Sequence, residues 1–360
     1  MPGKPPDARK LLDAAAARFK VLDRDVVRLM EVCGTHTMSI ARSGLRSLLP
    51  GGLRLISGPG CPVCVTPTGY VDAAVDLARN PDVILTTFGD MVRVPGSTTT
   101  LERVKAEGAD VRIVYSPMKS LEIAAREPGR TVVFLGVGFE TTAPAVASLI
   151  RAAAETNARN VTVLAGNKLI PPALRALCSD PDLRVDGFFL PGHVSVVLGE
   201  SPYRFIADEF HRPAVITGFE PTDVLEATVM ILDQMIAKKA TVANQYDRIV
   251  RAQGNAAARA RIDEVFEVAD TSWRGFGVMP ASGLAIRKKF ADHDAERRFD
   301  ITIAPDEPET GCRCGDVLKG IIHPTECPLF ATRCTEANPV GPCMVSSEGA
   351  CAASYRYERP

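Results

Sequence analysis

Residues Thr131 to Glu155 read TVVFLGVGFETTAPAVASLIRAAAE. Thr131 to Val137 is a run of apolar and β-branched residues interrupted only by Gly136, the pattern of a strand buried on both faces. The polar loop Gly138-Phe139-Glu140-Thr141-Thr142 ends that run. Pro144 to Glu155 then carries a helix, with proline in the first turn, where its missing N–H costs nothing. The same unit of strand, polar loop and helix recurs on either side. Strands are predicted at Val26 to Val32, Leu53 to Ile56, Val83 to Thr87, Val111 to Tyr115, Val161 to Ala165, Gly187 to Leu190 and Ala214 to Thr217. Helices are predicted at Asp7 to Phe19, Met38 to Leu48, Tyr70 to Arg79, Pro117 to Arg126 and Asp223 to Ile236. Such alternation specifies an α/β fold with mostly parallel sheets. Eight units are too many for one compact open sheet at this spacing. The simpler arrangement is two similar α/β domains, 1–128 and 129–260, meeting near Pro128, followed by an irregular C-terminal domain, 261–360. Asn244 to Ala260 reads as helical, and Asp270 to Ser282 fits no element.

The chain has 360 residues, 46% hydrophobic and 24% charged, an ordinary globular balance. Lys+Arg is 42 against 43 Asp+Glu, which gives no support for binding nucleic acid or an anionic membrane. No apolar run reaches the roughly 18 residues a membrane span needs. The N-terminal stretch MPGKPPDARKLLDAAAARFK lacks the apolar core of a signal peptide. The expectation is a soluble, cytoplasmic protein. Ten cysteines in that reducing compartment point to metal ligation or redox chemistry rather than structural disulfides.

In parallel sheets, ligands gather at the carboxyl ends of strands. Cys33, Cys61, Asp90, Glu140, Lys168, His193 and Glu220 all follow predicted strands closely, so they are candidates for one cleft. For any single charged residue among them, helix capping and surface solvation are the plainer roles. The most informative loop is Ser57 to Pro67, SGPGCPVCVTP, with Cys61 and Cys64 two residues apart. Such a pair can bind a soft metal, cycle as a disulfide, or simply fill a tight turn as two small buried residues. Cys33 and His36 in C-G-T-H form a weaker pair. The histidine could be a base that keeps the thiol ionised, or a capping residue. From Gly311 onward, six cysteines fall within forty residues: Cys312, Cys314, Cys327, Cys334, Cys343 and Cys351. Their wide gaps, filled with Pro and Gly, suit a loop wrapped round a [4Fe–4S] cluster. Zinc and redox disulfides stay open as alternatives. G-V-G-F-E lacks both the Walker spacing and the dinucleotide fingerprint. Cys178 lies in a helix-like segment and reads as core.

Taken together, these motifs resemble the HypD family of hydrogenase maturation factors. The resemblance rests on CGTHT at Cys33 to Thr37, GPGCPVCVTP at Gly58 to Pro67, FGDM at Phe88 to Met91 and RVPGS at Arg93 to Ser97. GFETTAP at Gly138 to Pro144 and PGHVS at Pro191 to Ser195 extend it. The spacing C-x14-C-x6-C-x16-C at Cys312, Cys327, Cys334 and Cys351 completes it. The resemblance implies a redox-active assembly scaffold rather than a conventional enzyme, a monomer on its own. On it the Fe(CN)2CO part of the [NiFe] hydrogenase site would be built, in complex with HypC and with cyanide from HypE, itself charged by HypF. It implies a [4Fe–4S] cluster on Cys312, Cys327, Cys334 and Cys351. Cys33, Cys61 and Cys64 would handle Fe(II) carrying CN and CO, with His36 beside them. The dithiol would be redox-active. The rival reading is an iron–sulfur thiol–disulfide oxidoreductase acting on another protein.

Overall fold

The computed structural model describes residues 7–304 and 311–358. Residues 1–6, part of the stretch read against a signal peptide, lie outside the described residues, as do 305–310 and 359–360 of the expected C-terminal domain. Eleven strands are present among the described residues. They are β1 (Val27–Glu31), β2 (Leu53–Ser57), β3 (Val83–Thr87), β4 (Val111–Ile113), β5 (Thr131–Gly138), β6 (Val161–Asn167), β7 (Gly187–Pro191), β8 (Ala214–Thr217), β9 (Val242–Asn244), β10 (Phe266–Trp273) and β11 (Gly277–Ile286). Two parallel sheets result, one ordered β2-β1-β7-β8-β9 and the other β4-β3-β5-β6. The α/β class with parallel sheets, and an irregular C-terminal region carrying cysteines, is the architecture expected from the repeated unit.

The sheets do not divide at Pro128. Strands β5 and β6 extend the sheet begun by β3 and β4, with Val83 to Thr86 paired to Thr131 to Phe134. The chain then returns through the helix Ile170–Cys178 and lays β7 against β1, Leu29 opposite Gly187. The first sheet therefore takes strands from both ends of a chain that builds the whole second sheet in between. A crossover helix fixes handedness but not which free edge the next strand joins, so local patterning could not reveal this.

Three further differences are local. The helix expected over Asn244 to Ala260 begins only at Ala256, where the Asn255 side chain caps the N–H of Ala258 at 3.0 Å. Gly254, at φ +64°, turns the chain just before it, and Asn244 belongs to β9. The unplaced stretch Asp270 to Ser282 lies within the antiparallel hairpin β10-β11, which buries Trp273. No helix among the described residues is long and apolar enough to cross a membrane.

Strand order reverses between β1 and β7 in the first sheet, and between β3 and β5 in the second. Those switch points open crevices at the strands' carboxyl ends, where the loops diverge to opposite faces. The cysteine-bearing tail packs into the resulting space. One continuous apolar cluster joins Met30 and Val32 of the first sheet, Leu135 and Val137 of the second, and Trp273, Cys314 and Cys343.

Candidate metal and thiol centre

Cys33 and the dithiol meet because two loops touch at Gly60. The N–H of Gly34 donates to the carbonyl of Gly60 at 2.9 Å, tying the end of β1 to the loop after β2. A Cβ on Gly60 would sit 2.1 Å from the backbone nitrogen of Cys33, so only glycine permits this approach. Cys33 is also held from within its own loop. Its N–H donates to Glu31 Oε2 at 3.2 Å, while Thr37 Oγ1 donates to Glu31 Oε1 at 2.5 Å. Cys33 opens the helix Gly34–Arg42 without a side-chain capping bond. Burial pushes its thiol up to about 12, with the carboxylates of Glu348 and Glu31 acting in the same direction against the backbone N–H groups of Thr35 and His36. Burial likewise raises Glu31 to about 7, although hydrogen bonds from Thr37 and Ser57 and the charge of Arg46 oppose it.

Cys61 and Cys64 are both buried, and the N–H of Cys64 donates to Cys61 Sγ at 3.2 Å. The Cys64 thiol, raised mainly by burial, interacts with Cys61 on one side and Cys343 on the other. Cys343 in turn interacts with Cys314 and Cys351, and Cys314 with Cys312. A row of thiols thus runs from the loop after β2 into the C-terminal segment. It ends in a tight pocket of about 10 Å³ lined by all six C-terminal cysteines, including Cys314 and Cys343, which stand outside the four-cysteine spacing. Of the residues lining this cavity only Arg313 is charged. The fully buried Arg274 also lies close enough to Cys314 to favour its thiolate.

Among the described residues no group of three Cys, His, Asp or Glu side chains is gathered to hold a metal ion. Six thiols instead crowd one tight pocket, more than the four ligands a single tetrahedral zinc takes and enough for the four a cubane cluster takes. Gly341 forms part of the wall, and a Cβ there would fall 2.5 Å from Cys312 Sγ. Missing bulk beside a thiol, with little competing charge, is what a sulfur-ligated cluster requires.

The tail is strapped down over Cys33. Thr35 Oγ1 donates to Glu348 at 2.6 Å, and a Cβ on Gly34 would meet the Glu348 Cβ at 2.4 Å. Asp90 accepts from Ser346 Oγ at 3.2 Å and from Ser347, and Arg93 donates to the carbonyl of Glu336. Asp90 and Arg93 therefore act on the tail.

The other strand-end residues have partners of their own, although Glu140 and Cys33 both act on the buried Tyr203, and Glu348 on His193. Glu140 is buried and accepts from the N–H of Ile170 at 2.9 Å. Lys168 donates to the carbonyl of Ser272 at 2.6 Å. Glu220 is exposed and opens the helix Pro221–Ile236, its N–H bound by Asp223 at 3.1 Å. His36 is fully buried, and its Nε2 faces the carbonyls of Gly218 at 2.9 Å and Thr217 at 3.2 Å. That tautomer donates to the end of β8 and leaves the lone pair on Nδ1, which is buried without a hydrogen-bond partner. Burial holds the ring neutral, with its pKa lowered to about 4. Phe219 stacks between His36 at 4.8 Å and the exposed His193 at 4.0 Å. Arg274 and Glu348 were missed in the sequence because neither lies in a motif. Only folding brings them to the thiols.

The family model described as "HypD: Hydrogenase formation hypA family" matches residues 7–358. The chain is similar to the hydrogenase maturation factor HypD2 of Bradyrhizobium diazoefficiens, 45% identical over 354 residues, covering 96% of this chain and 93% of that protein. It is 48% identical over 336 residues to the hydrogenase maturation factor HypD of Rhodobacter capsulatus, covering 92% and 89%. With the hydrogenase maturation factor HypD of Escherichia coli it shares 47% identity over 334 residues, covering 92% and 90%.

Proposed function

The chain belongs to the HypD family of hydrogenase maturation factors, and from that premise we propose that it is the scaffold on which, with HypC, the Fe(CN)2CO unit of the [NiFe] site is assembled. The observation that supports this best is the thiol row running from Cys61 and Cys64 through Cys343 and Cys314 into the six-cysteine cavity. Cys33, Cys61 and Cys64 are the thiols offered to the incoming iron, which is the substrate. Thiolate is a soft, strong donor and supports an Fe(II) that carries cyanide and carbon monoxide. HypE, charged by HypF, is the cyanide donor.

Cys312, Cys327, Cys334 and Cys351 are the residues that hold a [4Fe–4S] cluster, which supplies one-electron reduction when bound. Around it the chain's own groups do the positioning. Gly341 leaves room beside Cys312, and Arg274 places a fixed positive charge by Cys314. Glu31 and Thr37 lock the backbone of Cys33. Neutral His36 anchors the helix behind Cys33 to β8 and so orients the loop.

Infrared spectra of the complex with HypC, purified without oxygen, provide the test. Cyanide and carbonyl stretches are expected. Cys33→Ala removes them and keeps the brown colour, while Cys327→Ala bleaches the protein. The same thiol row also suits an oxidoreductase acting on a partner's disulfide. Absence of the stretches together with rapid reduction of such a disulfide would select that reading instead.

A further inference from the structure

The strands that deliver Cys33 and Cys61 begin at two arginines. Arg28 on β1 and Arg54 on β2 are direct neighbours across the parallel pair, so both side chains leave the same face of the sheet. Like charges set opposite each other destabilise a sheet. Arg184, just before β7, stands on the other side of β1. Arg28 is half-buried, Arg54 and Arg184 are exposed, and none of the three side chains has a hydrogen bond or ion pair among the described residues. They face a cavity of about 820 Å³ whose other wall is the segment Lys319 to Glu326. Gly320 holds that segment on the sheet, its Cβ position 2.6 Å from Ile56 Cγ2 and 3.1 Å from Met30 Cε. Lys319 adds a basic group from that side, while His323 Nε2 lies 3.5 Å from Glu358.

The carboxylates nearby offset this set only in part. Glu326 is taken by the N–H of His323 at 2.6 Å, Glu358 serves both Arg46 and His323, and Asp182 stands at the rim. The volume falls in the range of about 300 to 1,000 Å³ typical of small-ligand sites. Guanidinium groups in such numbers match oxygen anions, which they bind in bidentate fashion.

We propose that this cavity binds a small polyanion, through phosphate or carboxylate oxygens held by Arg28, Arg54 and Arg184. Its second wall runs between Cys314 and Cys327, and Val317 lines both this cavity and that of the cysteines. Occupancy therefore also steadies the cysteine-bearing segment. Arg28 and Arg54 stand near the start of β1 and β2, and the cavity runs along β2 to its last residue, Ser57.

The test is calorimetric titration of the full-length protein with pyrophosphate and, separately, with tricarballylate, followed by hydrogen exchange. Saturable binding is expected for at least one, weakening as NaCl is raised. Which probe binds separates a phosphate ligand from a carboxylate one. Arg54→Ser and Arg184→Ser, both at exposed positions, should each weaken it about tenfold. Exchange across residues 319–326 should slow on binding. The proposal is overturned if neither probe binds up to about 10 mM, or if both variants bind as well as the parent protein. Tighter binding of a hexaglutamate peptide would overturn it as well, making the surface a dock for an acidic protein.

Discussion

Glu140 sits at the end of β5 with both carboxyl oxygens buried. Oε1 accepts the Ile170 N–H, and Oε2 has no hydrogen-bond partner. Burial raises its pKa from 4.5 to about 8. A carboxyl raised in this way keeps its proton in the folded protein after the unfolded chain has lost it. Its contribution to stability is whole below about 4.5 and is lost as pH climbs through 8. His36 works with the opposite sign. Its folded pKa, lowered to about 4 from 6.5, costs nothing above 6.5 and destabilises as pH falls through 4. Glu140→Gln keeps the acceptor for Ile170 and removes the ionisation. The variant should lose less stability than the parent between pH 5 and 8, by an amount on the order of a few kcal/mol. Urea unfolding at the two pH values measures it, and equal losses in both proteins would refute the assignment. In the sequence Glu140 was one of several charged residues after strands, and its burial was not legible there. The strand ends were visible, but which of them are roofed by other elements depends on contacts far along the chain.

At the scale of elements, glycines decide where loops can touch. Gly60 brings the loops after β1 and β2 together, and Gly341 leaves space at the Cys312 sulfur. Both lie in stretches whose motifs were legible, yet the need for them appears only once the facing backbone or thiol is located. Gly341→Ala would place a methyl in the cysteine cavity at the tail's least regular part. The expected result is a folded protein with unchanged far-ultraviolet circular dichroism and at least about half of its iron and sulfide lost, since the neighbouring thiol must shift. Full iron content in the variant would mean that Cys312 does not hold the cluster. The hairpin β10-β11 is the element the sequence concealed. Its bulge between Ala269 and Thr271 and its turn at Gly275 and Gly277 break the alternation by which a strand is recognised.

For the whole molecule, the tail is a lid on the thiols, held by separate straps. Arg46 pairs with Glu358 at the end of the last helix, and Asp90 receives Ser346 and Ser347. Arg46→Ala together with Asp90→Ala should raise native-state alkylation of Cys64 and Cys343 about tenfold, because local opening becomes easier by roughly the worth of these bonds. Mass spectrometry of the alkylated peptides would report it, and an unchanged rate would show that the tail is held by its apolar contacts alone. The sequence by itself determined the α/β class, most strand positions and the cysteine motifs, because periodicity and short-range spacing are properties of neighbouring residues. It did not determine that strands on either side of 83–167 share one sheet, that Pro128 is no boundary, or that Cys64 and Cys343 meet. Those follow from which apolar faces find each other when the chain collapses, and such a choice has no local signature.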